Sequence, residues 1–211
     1  MKGLIIKDIF NLKKGITTTL IMILFYGIFS YNTGNMSMLI GMTVFIMTSM
    51  SISSMSYDDM AKWDGYALSM PITRKNIVLS KYILSILLST IATILSTAFS
   101  MVIAYIRGDL VGIDNIQEIL LISYVVFLIS IFYISIVMPL IFKFGVENAR
   151  VLMLGSYLIP AGIVYLLYKM GVQLPNQQQL KQMLYVSPIV LILVLMLSVL
   201  TTYEIYKKKD I

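Results

Sequence analysis

GITTTLIMILFYGIFSYNTGNMSMLIGMTVFIMTSMSISSMSY, residues 15–57, is 43 residues long and holds no charged side chain. A lysine or aspartate at the centre of a hydrocarbon layer costs about 3 kcal/mol on insertion scales, so such a run is written for a bilayer. It is also too long for one crossing. A helix rising 1.5 Å per residue needs about 20 residues to cross about 30 Å of hydrocarbon, so the run turns back once. Asn32, Thr33, Gly34 and Asn35 supply the turn.

Working outward, four more uncharged runs follow at 82–106, 119–142, 151–168 and 182–203. The expected fold is therefore an all-α membrane protein, one transmembrane domain over 1–211 with six helices near 16–31, 36–57, 82–106, 119–142, 151–168 and 183–203. A composition of 59% hydrophobic and 12% charged residues, with mean hydropathy +0.90, agrees. Strands are not expected, because 191–197 is apolar at every position rather than alternating.

Charge sets the orientation. Lys2, Lys7, Lys13, Lys14, Lys62, Arg74, Lys75, Lys81, Lys143, Arg150, Lys207, Lys208 and Lys209 fall on one side of this layout. Only Arg107, Lys169 and Lys181 fall on the other. Positive loops stay inside, so both termini are expected in the cytoplasm, and the net charge of +6 reflects this bias rather than nucleic-acid binding. The chain has neither cysteine nor histidine, which removes thiol and imidazole catalysis and the usual zinc and haem sites. It has no G-x-x-x-x-G-K-[S/T] loop to cradle nucleotide phosphates, and none of the uncharged runs carries an ionisable group for a coupling ion.

On a helical wheel, Ile5, Ile6, Ile9, Phe10 and Leu12 share an arc opposite Lys7, Asp8, Asn11 and Lys14, with Leu4 and Lys13 breaking the pattern. The expectation is an interfacial helix along the inner leaflet. In the loop between the second and third spans, Asp58 and Asp59 suit a helix start, Gly65 suits its end, and Met60, Trp63 and Ala67 form an apolar ridge beside Lys62 and Asp64. Trp63, the only tryptophan, fits either a headgroup anchor or a plug for a groove on a cytoplasmic partner.

The segment Ser69-Met70-Pro71-Ile72-Thr73-Arg74-Lys75, followed by Ser80-Lys81-Tyr82 at the mouth of a span, resembles the permease subunits of bacterial ATP-binding-cassette exporters of the type-2 family. Tyr57-Asp58-Asp59 with Lys62-Trp63 matches that family's acidic-then-aromatic segment, and residues 140–150, with Gly145-Val146-Glu147, resemble its turn between the fourth and fifth spans. Met70 and Thr73 stand where the family pattern has leucine and serine. The compact size is similar to that of permeases exporting phenol-soluble modulins, and lantibiotic and bacitracin resistance permeases look similar as well.

The resemblance implies a bacterial plasma-membrane, multi-pass permease that is not itself an enzyme. It would pair with a second permease copy, identical or related, and with two ATP-binding-cassette ATPase subunits that carry ATP and Mg. A cytoplasmic coupling helix would use Asp58, Asp59, Met60, Lys62, Trp63, Asp64 and Tyr66, with a second contact at Gly145, Glu147 and Arg150. The cargo would be an amphipathic peptide exported by alternating access. The alternative is a non-transporting scaffold or immunity protein that sequesters a toxic peptide. Met47, Thr48, Met50, Ser51 and Ser54 in the hydroxyl- and thioether-rich second span are candidate path-lining residues. The stripe Ser85, Ser89, Thr93 and Thr97 suits helix packing. Pro160 predicts a kink in the fifth span, and residues 171–174 a half-inserted turn.

Overall fold

A computed structural model describes residues 2–109, 113–169 and 177–209. Within them the fold is helical: α1 (Lys2–Thr33), α2 (Met36–Met60), α3 (Trp63–Ser69), α4 (Arg74–Arg107), α5 (Ile113–Lys169) and α6 (Gln177–Lys207). Among the described residues, five stretches are long and apolar enough to cross a membrane: Gly15–Thr33, Met36–Met60, Arg74–Arg107, Asn115–Ala149 and Leu184–Lys207. The fifth expected span, 151–168, continues as helix within α5, although most of its side chains, that of Pro160 included, lie outside the described ones. The turn expected at 171–174 lies outside the described residues.

The helices outrun the uncharged sequence. At 1.5 Å per residue, the 32 residues of α1 extend about 48 Å, against about 30 Å of hydrocarbon. No break separates the amphipathic N-terminal segment from the first span, so the expected interfacial helix is instead the first turns of α1. A helix whose backbone bonds run uninterrupted cannot lie flat and then turn upright. The chain reverses at Gly34, whose φ of +75° is left-handed, and Asn35 caps α2 by accepting from the Met38 amide at 3.3 Å.

Helix α2 is central, packing on α1, α4 and α5, while α4 also touches α1, α5 and α6. The start of α1, the end of α2, the start of α4, the Gly145 bend in α5 and the end of α6 meet at one end of the bundle, here the termini end. A core cluster there gathers Leu4, Met55, Ala67, Val78, Tyr82, Met138, Phe142 and Tyr206. A smaller one, of Ile40, Val44, Ala92, Ala104 and Ile119, lies toward the far end. The hydroxyl stripe of α4 serves packing, with Ser85 and Ser89 buried and Thr97 bonded to Ser123 of α5 at 2.7 Å.

Candidate functional site

The termini end is built on ionised side chains. Asp58 accepts from Lys7 Nζ at 2.7 and 2.8 Å and from Lys81 Nζ at 2.5 Å. Asp8 is fully buried and receives Lys81 at 2.8 Å and Lys7 at 3.1 Å. Two lysines and two aspartates from α1, α2 and α4 thus form a closed, neutral cluster, and Ser54 stands 3.5 Å from the Lys81 ammonium. Neutrality is the physical condition for burial, since an unmatched charge there would cost several kcal/mol. Lys81 sits seven residues into α4, about 10 Å along it, so the cluster lies near one end of the span rather than at mid-membrane.

This inverts the wheel reading of α1. Leu4, Asp8 and Leu12, spaced by four, turn inward, whereas Ile6, Ile9 and Phe10 face outward. Of the apolar arc, Ile6, Ile9 and Phe10 meet the surroundings while Leu12 meets the bundle, as do Lys7 and Asp8 of the opposite arc. Leu4, which broke the expected pattern, belongs to the core.

Asp58 and Asp59 occupy the last turn of α2, not the start of the next helix. Carboxylates are disfavoured at a helix C-terminus, where the dipole is negative, so each needs a partner. Asp58 has its two lysines. Asp59 reaches across to α5, where its Oδ2 accepts from the Val146 amide at 3.1 Å just after Gly145, whose φ is +77°. The two motif regions expected to form separate contacts are therefore joined by one capping hydrogen bond.

The loop does contain a short helix, α3, entered through Lys62 in the left-handed region (φ 50°, ψ 39°). Gly65 lies inside it rather than at its end. The expected ridge is split: Ala67 is buried, Trp63 is half-buried, and Met60, in α2, is 80% exposed. Trp63 packs on its own chain, with Lys7 Nζ 4.3 Å above its ring and Tyr66 5.3 Å away. The outward-facing large side chains are Tyr66 and Met60, with Lys62 beside them. Glu147 is exposed, and the side chains of Asp64 and Arg150 lie outside the described ones.

The second motif is used residue by residue. Thr73 caps α4 by accepting from the Asn76 amide at 3.3 Å. The Arg74 guanidinium donates to the carbonyls of Tyr206, Lys207 and Lys209 at 2.7, 2.9 and 2.9 Å, closing the C-terminus of α6 with a positive charge. Tyr82 bonds Ser198 at 2.6 Å and Thr202 at 2.8 Å on α6, and Ser198 donates to the Ser135 carbonyl of α5 at 2.6 Å.

A family model described as ABC-2 family transporter protein matches residues 3–207, nearly the whole chain. The chain belongs to the ABC-2 transporter family. No curated protein and no solved structure matches significantly. This ABC-2 protein is thus a permease subunit of an ATP-binding-cassette transporter, a multi-pass membrane component. Its candidate path-lining residues are enclosed by its own helices: Thr48, Met50, Ser51 and Ser54 are buried and Met47 half-buried. Met50 meets Thr19 of α1, its sulfur 3.3 Å from the hydroxyl, while Ser54 faces Lys81 of α4. No group of three or more acidic residues that could hold a metal ion occurs among the described residues.

Sequence reasoning missed the ionic cluster and the Arg74 clamp. Lys81 did carry a signal, because it continues the four-residue spacing of the buried Ser85 and Ser89. Asp8 shares the spacing of Leu4 and Leu12 in the same way.

Proposed function

We propose that this permease subunit is the membrane half of an exporter of amphipathic peptides in a bacterial plasma membrane, worked from its termini end by separate ATPase subunits that bind ATP and Mg. In this reading the termini end is cytoplasmic, six helices span the bilayer, and two permease copies assemble with two ATPase subunits. The surface offered to each ATPase is the exposed strip of Met60, Lys62 and Tyr66 at α3. The single observation that carries it is the wiring of α3: Trp63 stacks on Lys7 of the ionic cluster, and Asp59, four residues earlier, caps α5 at Val146. A push on α3 therefore reaches α1 through Trp63 and Lys7, and from Lys7 the ionic cluster of α2 and α4, while Asp59 at the adjoining end of α2 carries it to α5. Such contacts have discrete arrangements, which suits the two conformations of alternating access.

The experiment is co-purification with an ATP-binding-cassette ATPase subunit, followed by ATP hydrolysis in lipid nanodiscs. The permease is expected to stimulate hydrolysis, and Tyr66→Ala is expected to remove most of that stimulation. Because Tyr66 is exposed, its loss should change stability by less than about 0.5 kcal/mol. An ATPase rate indifferent to the permease would favour the sequestering scaffold instead.

A further inference from the structure

Helices α2 and α4 each bury a row of hydroxyls, Thr43, Thr48, Ser51 and Ser54 on α2 and Ser85, Ser89, Ser96 and Ser100 on α4. The rows border one seam. Ile40 and Val44 of α2 share a core cluster with Ala92 and Ala104 of α4 toward the far end, and Ser54 and Asp58 meet Lys81 at the other. Elsewhere in the bundle hydroxyls tie helix to helix: Thr97 bonds Ser123 from α4 to α5, Tyr82 bonds Ser198 and Thr202 from α4 to α6, and Ser198 donates to the Ser135 carbonyl of α5. The α2/α4 seam lacks such ties. Above Ser54 no hydroxyl of either row reaches the facing helix among the described residues, and Ser51, Ser85, Ser89 and Ser96 donate to carbonyls of their own helix.

Three hydroxyls do not do even that. Thr43 Oγ1, Thr48 Oγ1 and Ser100 Oγ are enclosed and have no hydrogen-bond partner. Their spacing sets them on the contact face, since Thr43 adjoins Val44, Thr48 stands one turn from it, and Ser100 stands one turn from both Ser96 and Ala104. Forgoing the bond to the carbonyl one turn back, which the neighbouring serines make, leaves each of them idle at a real cost. The seam also leads to an opening. A cavity of about 530 Å³ lies between the α1/α2 turn, the end of α4 and the start of α5, with Asn35, Ser37, Asn115 and Glu118 among its walls. Met36 and Ala104 line it as well, and both belong to the cluster that holds the seam. Ser100 therefore lies one turn of α4, about 6 Å, from a polar cavity roomy enough for water. An acyl chain or an apolar helix entering here would leave the three hydroxyls idle, whereas water pairs each as donor and acceptor and fits between small side chains.

We propose that the α2/α4 seam is an aqueous cleft of the permease, which parts from the far-end cavity toward the ionic cluster and takes water at Ser100, Thr43 and Thr48. Helix α1 travels with α2, to which it is joined by Thr19 at the Met50 sulfur and by Ser30 at the Asn35 carbonyl. The pivot is Lys81 with Asp8 and Asp58, the ionic contacts that hold α4 to this pair at the termini end. The exposed bond from Arg107 of α4 to the Tyr31 carbonyl of α1 is the latch across the mouth. The cleft is independent of cargo and motor, because it follows from which helices are tied and which are not.

The chain has no native cysteine, so single cysteines report on water access without background. Thr43→Cys, Thr48→Cys and Ser100→Cys, each close in size to the parent, are treated in lipid nanodiscs with a small charged methanethiosulfonate reagent, and modification is followed by intact mass. The control is Ser130→Cys. Ser130 is buried on α5, bonds the Phe127 carbonyl at 2.7 Å, and stands as far from the Gly145 bend as Thr43 stands from Asp58. The three seam thiols are expected to react at least about tenfold faster than the control, in the order Ser100→Cys, Thr43→Cys, Thr48→Cys. Arg107→Gln should speed all three and leave the control unchanged. Thr43→Val and Thr48→Val, which remove only the idle hydroxyl, should leave the Tm unchanged or raise it by about 2–4 °C. Seam rates no faster than the control would overturn the cleft, and so would a reversed order with Thr48→Cys ahead. A fall in Tm for both valine variants would also sink it, because those hydroxyls would then already be bonded.

Discussion

At the termini end, Lys7, Asp8, Asp58 and Lys81 lock three helices together, Arg74 clamps the end of α6, and Asp59 caps the bend in α5. At the far end, among the described residues, α1 and α2 are joined by a short turn and the ties are mostly neutral side chains. There Asn35 caps α2, Ser30 donates to the Asn35 carbonyl at 2.9 Å, and Tyr124 donates to the Leu184 carbonyl at 3.3 Å. Among the described residues Arg107 is a charged tie at the far end: it pairs with Asp109 at 2.6 Å and donates to the Tyr31 carbonyl, in an exposed setting. The difference is one of dielectric. Buried ionic bonds are strong, directional and able to re-pair, whereas exposed ones are screened and weak. In this ABC-2 protein the buried ones are gathered at the end where the short helix α3 sits.

The sharpest way to break this contrast is Lys81→Met. It strands Asp8 and Asp58 with Lys7 alone and should cost about 3–5 kcal/mol, measured by thermal unfolding in detergent. Adding Asp8→Leu should recover part of that loss, because the pair is then removed rather than broken. Were Lys81→Met as stable as the parent, the charge-tied end would be a misreading.

A smaller effect is expected at the α5 bend. Gly145→Ala places a side chain at φ +77°, ψ 165°, a region essentially confined to glycine, costing about 1–3 kcal/mol, and Asp59→Ala removes the cap for about 1 kcal/mol. Both act on one turn, so the double variant should lose less than the sum in the same unfolding measurement. Tyr82→Phe, which cuts the bridge from α4 to Ser198 and Thr202, should cost about 1 kcal/mol. Smallest of all, Arg107→Gln at the far end should cost less than about 1 kcal/mol, and that small loss should shrink further at high salt. A larger loss there than at Lys81 would reverse the contrast.

The Asn35 turn, the presence of membrane-length apolar helices and the packing role of the α4 stripe are legible in the chain, because each follows from local chemistry. The α1 face and the acidic pair are not. Leu4, Asp8 and Leu12 read as an imperfect amphipathic helix until Lys81, 73 residues beyond Asp8, supplies the partner that lets an aspartate turn inward. Asp58 and Asp59 read as a helix start because carboxylates favour that position, and only their long-range partners allow them at a helix end instead. Trp63 reads as an outward anchor or plug, yet Lys7 draws its ring back onto the bundle.

By itself the sequence determined that this protein is made of membrane-length helices with its positive charge gathered on one side, since uncharged run length and lysine placement are properties of the chain read residue by residue. Only the tertiary structure decided which charges are buried, which face of α1 turns inward and which side chains of α3 remain on offer. Burial of an ion depends on a counter-ion brought from tens of residues away, and no local periodicity encodes that partner.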